Sequence, residues 1–132
     1  MDRVYLDANV LFSAAYRPNA GLLRLWKLGE VHLLTSRYAL AEAQANLEHP
    51  DQRSRLEKLV RSVEVIEQAS EVPLPPGVRL PEKDRPILSA AISASCTHLL
   101  TGDVTHFGSL YGRSVAGVRA LLPSSYLRAR RD

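Results

Sequence analysis

Short apolar runs of β-forming residues alternate with helical patterns along the chain, and this alternation constrains the fold more than any other feature. The runs cover residues 4–6, 31–35, 63–66 (with an extension toward 72), 98–101 and 118–122. Strands that are joined through helices pair in parallel, because each helix returns the chain to the same end of the sheet. The sequence therefore predicts an α/β sandwich with a mainly parallel sheet.

The helical patterns begin at capping signals and end at glycine or proline. Helices are predicted over 10–15, 22–28, 37–49, 52–63 and 87–92, with another that starts at Pro123. Ser36 and Asp51 are the expected N-caps of the third and fourth helices, since their side-chain oxygens can accept first-turn N–H groups. Pro50 is expected to end the third helix.

Composition limits the class of protein. A chain of 132 residues with 45% hydrophobic and 23% charged residues is expected to form one domain, residues 1–132. One cysteine, Cys96, excludes an intramolecular disulfide and fits a cytoplasmic location; we expect it to pack inertly on a helix. No apolar run approaches the roughly 18 residues that a membrane span needs. A net charge of +3 permits a polyanionic partner without requiring one.

Two acids stand at the carboxyl ends of predicted strands, and two more lie on predicted helices. Asp7 follows the first strand and Asp103 follows the strand 98–101, while Asp84 starts a helix and Glu42 lies in the second turn of another. The carboxyl ends of parallel strands open onto a crevice where ligands bind. Structural roles are the alternatives: Asp7 and Asp84 as helix caps, Glu42 as a solvated helix residue.

Acids that share one crevice repel one another unless a cation neutralises them. The sequence has neither a glycine-rich phosphate loop nor paired His/Cys zinc ligands. Oxygen ligands of this kind suit a hard divalent cation, Mg²⁺ or Mn²⁺, which can activate water against a phosphate ester. The spacing therefore favours metal-dependent phosphodiester hydrolysis.

The segments around these acids resemble the four motifs of PIN-domain ribonucleases, in the same order and over the whole chain. The matching segments are Leu6-Asp7-Ala8-Asn9-Val10-Leu11, Glu42 on its helix, Asp84 at its helix start, Thr101-Gly102-Asp103, and the ending Gly117-Val118-Arg119-Ala120-Leu121-Leu122-Pro123. The resemblance implies a PIN-like three-layer α/β/α sandwich and an endoribonuclease that uses Mg²⁺ or Mn²⁺. It assigns catalytic and metal-binding roles to Asp7, Glu42, Asp84 and Asp103, and polar supporting roles to Asn9 and Thr101.

The resemblance also implies partners. Small members of this family are often the toxin of a toxin–antitoxin pair, and such members commonly form homodimers that a cognate antitoxin inhibits. An RNA substrate, an antitoxin protein and a second copy of the chain are therefore the expected partners.

The chain departs from the family pattern after the fourth motif. Many members have an acid just before the aromatic residue, whereas this sequence has His106-Phe107. An imidazole can orient a phosphate or a water but adds no negative charge, so we expect His106 in a surface loop rather than at the metal. Glu82 is then an auxiliary ligand to consider.

Two other functions compete with the nuclease. A phosphatase of the haloacid-dehalogenase type would use Asp7 as a covalent nucleophile, but it normally needs a second Asp where this chain has Asn9. A PIN-like module that binds RNA or protein without cutting would keep the fold and need no metal. The His106 departure favours that module, and retention of all four acids favours the nuclease.

Overall fold

A single sheet runs through the computed structural model, which describes residues 1–67 and 73–130. The spatial order of its strands is β3-β2-β1-β4-β6-β5, and every pair is parallel except β5 with β6. The predicted mainly parallel α/β class is therefore confirmed. The strands are β1 Asp2–Leu6, β2 Val31–Ser36, β3 Glu64–Ile66, β4 His98–Leu100, β5 Ser114–Val115 and β6 Val118–Leu121.

Helices cover both faces of the sheet and complete a three-layer α/β/α sandwich. They are α1 Ala8–Ala15, α2 Arg37–Asn46, α3 Pro50–Val60, α4 Arg85–Ser93, α5 Val104–Phe107 and α6 Pro123–Ala129, with 3₁₀ helices at Gly21–Lys27, Glu82–Asp84 and Gly108–Leu110. In residues 1–67 and 73–130, none of these helices combines the length and apolarity needed to cross a bilayer.

The order of the strands creates a switch point between β1 and β4. The chain moves outward from β1 to β2 and β3, and then returns to place β4 on the other side of β1. Because parallel crossovers are right-handed, this reversal puts α4 on the face opposite α1, α2 and α3. A crevice therefore opens beyond the carboxyl ends of β1 and β4.

The structure corrects the predicted boundary between α2 and α3. The backbone leaves the helical conformation at Leu47, whose side chain is fully buried, so α2 ends at Asn46 rather than at residue 49. Pro50 begins α3 instead of ending α2, and His49 rather than Asp51 is the N-cap residue. Proline is tolerated there because a first-turn N–H has no helical partner to lose.

Three smaller features also differ from expectation. Residues 22–28 lie mostly in a 3₁₀ helix, and the short edge strand β5 is not anticipated by the sequence pattern. Cys96 follows α4 instead of lying on it, but it is buried as expected, and burial raises the pKa of its thiol to about 11. Such a thiol is inert. The predicted extension of the third strand toward 72 includes residues 68–72, which lie outside the described part of the chain.

Candidate functional site

The parallel register of β1 and β4 places Asp7 beside Thr101. Leu6 is level with Leu100, and the N–H of Asp7 continues the ladder by donating to the carbonyl of Leu100 at 3.1 Å. One residue beyond the strand ends, the Thr101 hydroxyl donates to Oδ2 of Asp7 at 2.8 Å. Both side chains are buried. The first and fourth motifs therefore meet at the switch point.

The Asp7 carboxylate is both a helix cap and a member of the site. Its Oδ1 accepts from the N–H of Ala8 at 2.7 Å, and its Oδ2 also accepts from the Asn9 amide at 3.3 Å. The pKa of Asp7 is raised to about 6, mainly by burial and to a smaller extent by the charges of Glu42 and Asp84, while its hydrogen bonds from Thr101 and Ala8 oppose the rise. Fully bonded and 6% exposed, this carboxylate is poorly placed to attack a phosphate covalently.

Asn9 and Thr101 also fix the segment that carries Asp103. The Thr101 hydroxyl accepts from the N–H of Asp103 at 3.1 Å, and the Asn9 amide oxygen accepts from the N–H of Gly102 at 2.7 Å. A Cβ added to Gly102 would lie 3.3 Å from that amide oxygen, so glycine permits this close approach. Asn9 and Thr101, to which the resemblance gives supporting roles, thus hold the segments of Asp7 and Asp103 together.

Two carboxylates converge on the imidazole of His106. Its Nδ1 lies 2.7 Å from Oδ2 of Asp84 and 2.8 Å from Oδ2 of Asp103. These are ion-pair distances, yet neither contact has the geometry of a hydrogen bond, and among the described residues the buried atoms Asp84 Oδ2 and His106 Nδ1 have no hydrogen-bond partner. Ligand atoms of the three residues all lie within 4.8 Å of one another. An orphaned, closely spaced set of oxygen and nitrogen donors is suited to a cation.

The position of His106 corrects the expectation that it lies in a surface loop. It is part of α5, which begins with Asp103 as its N-cap, and the Asp103 carboxylate accepts from the backbone N–H of His106 at 3.1 Å. This turn brings the imidazole back over the carboxylate that caps it. The three-residue spacing from Asp103 is the one signal in the sequence that could have indicated the contact.

Asp84 behaves differently from an ordinary helix cap. It occupies the N-cap position of α4, but its side chain accepts no hydrogen bond from the first turn of that helix. Its carboxylate points instead to His106 and adds to the pKa rise of Asp7. Asp84 therefore does not cap its helix through its side chain, whereas Asp7 both caps α1 and belongs to the site.

Glu42 faces the same crevice from α2. It lines a cavity of about 590 Å³ with Asn9 and Asp103, and its charge acts on Asp7. Within the described ranges 1–67 and 73–130, neither Glu42 nor Asp7 belongs to the closely spaced set of candidate metal ligands, which is Asp84, Asp103 and His106. Glu82 lies apart, in a second cavity that Tyr38 also lines. The structure thus brings the four predicted acids to one region and adds His106.

Comparisons with known proteins agree with this architecture. The sequence matches the PIN domain family over residues 3–105. No curated protein matches it significantly. Among solved structures, the chain is similar to one from VapBC2 of Rickettsia felis, crystallised with a DNA fragment from its promoter. The two share 17% sequence identity and a TM-score of 0.64, over 89% of this chain and 96% of the other. The structural likeness shows a common fold, and the sequence match covers most of the chain, so this chain belongs to the PIN domain family.

Proposed function

We propose that this chain is a metal-dependent endoribonuclease that hydrolyses RNA phosphodiester bonds at the crevice between β1 and β4. The observation that carries the proposal is the convergence of Asp84, Asp103 and His106 beside the buried Asp7. Residues from distant parts of the chain meet there at the switch point, where open α/β sheets bind ligands. Membership of the PIN domain family supports the same chemistry.

The donor set fits a divalent cation. Buried carboxylate oxygen and imidazole nitrogen without hydrogen bonds are costly unless a ligand satisfies them. Asp84, Asp103 and His106 would hold Mg²⁺ or Mn²⁺, with Asp7 and Glu42 as the further acids of the site. When bound, such an ion lowers the pKa of water and neutralises charge on a phosphate.

The remaining roles belong to the chain itself. Thr101 and Asn9 hold Asp7 and the Asp103 segment in a fixed relation through their hydrogen bonds. Glu42 is exposed to the crevice, and its carboxylate has no hydrogen-bond partner in the part of the chain that the structure describes. Because Asp7 is hydrogen-bonded through both oxygens and Asp84 and Asp103 would hold the ion, Glu42 is the acid that remains to accept a proton from water.

We further infer the biological setting from the family and from the solved neighbour. VapBC2 binds DNA from its own promoter, which supports a role for this chain as the toxin of a toxin–antitoxin pair with a cognate antitoxin. A homodimer of the single 1–132 domain and a cytoplasmic location are part of the same proposal. The buried, inert Cys96 is consistent with a reducing compartment.

The test is cleavage of an end-labelled RNA pool by wild type and by Asp103→Asn, purified in parallel and assayed with Mn²⁺ and with a chelator. We expect cutting by wild type with Mn²⁺ alone. Equal cutting by both proteins would identify a contaminant and count against the proposal. Binding of Mn²⁺ to Asp103→Asn with wild-type affinity would remove Asp103 from the ligand set.

One observation favours a second candidate, an inactive PIN-like module that binds RNA or protein. The imidazole of His106 occupies the space between Asp84 and Asp103 without any metal, because its Nδ1 lies within 2.8 Å of both carboxylates. A wild-type protein that neither cuts the pool nor binds Mn²⁺ would establish this alternative.

A further inference from the structure

A groove of about 830 Å³ lies beside the carboxylate crevice, between α1, the 3₁₀ helix Gly21–Lys27 and α6. Its volume falls within the ~300–1,000 Å³ that is typical of ligand sites. The residues that line it include three arginines and two aromatic side chains, Arg17, Arg24, Arg128, Phe12 and Tyr16.

The groove is positively charged. Arg17 and Arg24 come from neighbouring segments on one side and Arg128 from α6 on the other, and all three are exposed. In residues 1–67 and 73–130, their guanidinium groups make no ion pair or hydrogen bond, and no acid is among the described residues that line the groove. Three uncompensated guanidinium groups around one concave surface attract a polyanion.

The groove also presents an aromatic surface that is held in place. The Tyr16 side chain is at the C-terminal end of α1, where the residue is 53% exposed, and its ring centroid lies 5.3 Å from that of Phe12. Arg55 donates to the carbonyls of Ala15 and Tyr16, and Gln52 donates to the carbonyl of Tyr16. These bonds from α3 fix the end of α1, so little order is lost when a flat group stacks on Tyr16.

The groove is continuous with the carboxylate crevice. Ser13, Leu22 and Ser124 line both the groove and the cavity that contains Glu42 and Asp103. A strand with its phosphate at the acids would therefore extend directly onto the arginines. The surface changes along this path from acidic, as metal binding requires, to basic and aromatic.

We propose that this groove holds the single-stranded segment of RNA next to the phosphate that is cut, with Arg17, Arg24 and Arg128 on backbone phosphates and a base stacked on Tyr16. A positive groove combined with exposed aromatic rings is the arrangement that binds single strands without strict sequence preference. The substrate assignment rests on the proposed nuclease function, but its test does not depend on cutting.

The test measures binding of a fluorescein-labelled single-stranded RNA dodecamer by anisotropy, with a chelator present so that no cleavage occurs. The double variant Arg17→Ala/Arg24→Ala is compared with Lys58→Ala/Arg61→Ala, which removes the same charge from exposed positions on α3 and at its end. We expect at least a tenfold loss of affinity for the groove pair and less than threefold for the control pair. The slope of log K against log salt should fall by about 1.4 for the groove pair, at about 0.7 per lost phosphate contact.

Variants of Tyr16 provide an independent test. Tyr16→Ala should weaken binding five- to tenfold or more, since stacking on an aromatic ring contributes about 1–3 kcal/mol per base. Tyr16→Phe keeps the ring and should bind like wild type. Equal losses for the two charge pairs, or unchanged binding by Tyr16→Ala, would overturn the proposal.

The outcomes also separate this proposal from the nuclease proposal. Wild type that binds RNA through the groove but never cuts would contradict only the nuclease. Wild type that cuts RNA, together with groove variants that bind as wild type does, would contradict only the groove and leave a protein partner as its occupant.

Discussion

At the scale of single residues, the hydroxyl of Thr101 connects the two halves of the candidate site. It donates to the carboxylate of Asp7 and accepts from the N–H of Asp103 and from the Asn9 amide. Its side chain is fully buried, so water cannot replace these bonds. One small group therefore fixes the relative positions of two acids that are 96 residues apart in sequence.

Replacing this hydroxyl tests that arrangement. Thr101→Val should lower the free energy of unfolding by about 2 kcal/mol, since the buried Asp7 carboxylate loses a donor and the N–H of Asp103 loses its acceptor. Thr101→Ser, which loses only a methyl group, should cost about 1 kcal/mol. Urea unfolding measures both, and RNA cleavage should survive in the serine variant alone. A valine variant as stable and as active as wild type would show that the bonds are dispensable.

The buried carboxyl of Asp7 predicts a specific pH dependence without metal. Burial raises its pKa from 3.8 to about 6 in the folded protein. The folded state therefore holds the proton more tightly, and the stability gained from it is complete below pH 3.8 and is lost as pH rises through 6.

Asp7→Asn removes this titration. The unfolding free energy of the variant minus that of wild type should increase by about 2–3 kcal/mol from pH 4 to pH 8, at about 1.4 kcal/mol per pKa unit. Urea unfolding in a chelator at the two pH values measures the change. The constant cost of the altered hydrogen bonds cancels in the comparison. A pH-independent difference would mean that Asp7 titrates like an exposed carboxyl.

The sequence predicts some contacts of the site and misses others, for a physical reason. Asp7 and Asp103 follow strands, and parallel pairing necessarily brings strand ends together. The contact of His106 with Asp84 depends instead on how α5 packs beside the start of α4. Both segments are irregular or short, so no periodic pattern encodes their meeting.

At the scale of elements, the β5–β6 hairpin shows how local geometry can escape a sequence pattern. Its two-residue turn places both Ala116 and Gly117 at positive φ, 49° and 88°. Tight hairpins need this conformation, and Asn-Gly is its strongest sequence signal. This turn has Ala116 where asparagine would be the signal, and β5, with two residues, is too short to show an alternation of apolar and polar side chains.

This turn can be improved by substitution. Ala116→Asn should raise the free energy of unfolding by about 0.5–1 kcal/mol, because asparagine adopts positive φ at lower cost than alanine. Ala116→Val should lower it by at least as much, since β-branched residues fit that region poorly. Thermal unfolding of wild type and of the two variants ranks their stabilities. A stabilised valine variant would contradict the turn conformation.

The longer elements are predictable because several signals agree in each. Apolar runs mark β1, β2 and β4, and the Ser36 hydroxyl caps α2 by accepting from the N–H of Ala39, as expected. The boundary at Pro50 is predicted wrongly because a proline can either end one helix or begin the next. The backbone leaves α2 at Leu47, whose side chain is buried, and which side chains are buried depends on the whole fold.

At the scale of the whole molecule, metal binding should couple to stability. A ligand that binds only the folded state stabilises it by about 2.7 kcal/mol at 100 times its dissociation constant. Mn²⁺ should raise the Tm of wild type, and by more than Mg²⁺ does, because an imidazole ligand suits transition metals better. Calorimetry with each ion measures both shifts.

Variants of His106 provide the matched controls. His106→Ala should lose most of the Mn²⁺ shift, and His106→Asp should respond to the two ions more equally, since all its ligands are oxygen. An unaltered preference for Mn²⁺ in His106→Asp would contradict ligation by the imidazole.

The hydrogen bond between Thr101 and Asp7 has a consequence for synthesis of the protein on the ribosome. Its partners lie 94 residues apart, and the segment from 103 to 106 follows still later. β1 has only β2 to pair with until β4 leaves the exit tunnel. A growing chain shorter than 106 residues therefore carries Asp7 without the residues that complete the site. Translation order therefore delays assembly of the Asp84, Asp103 and His106 cluster until most of the chain has been made.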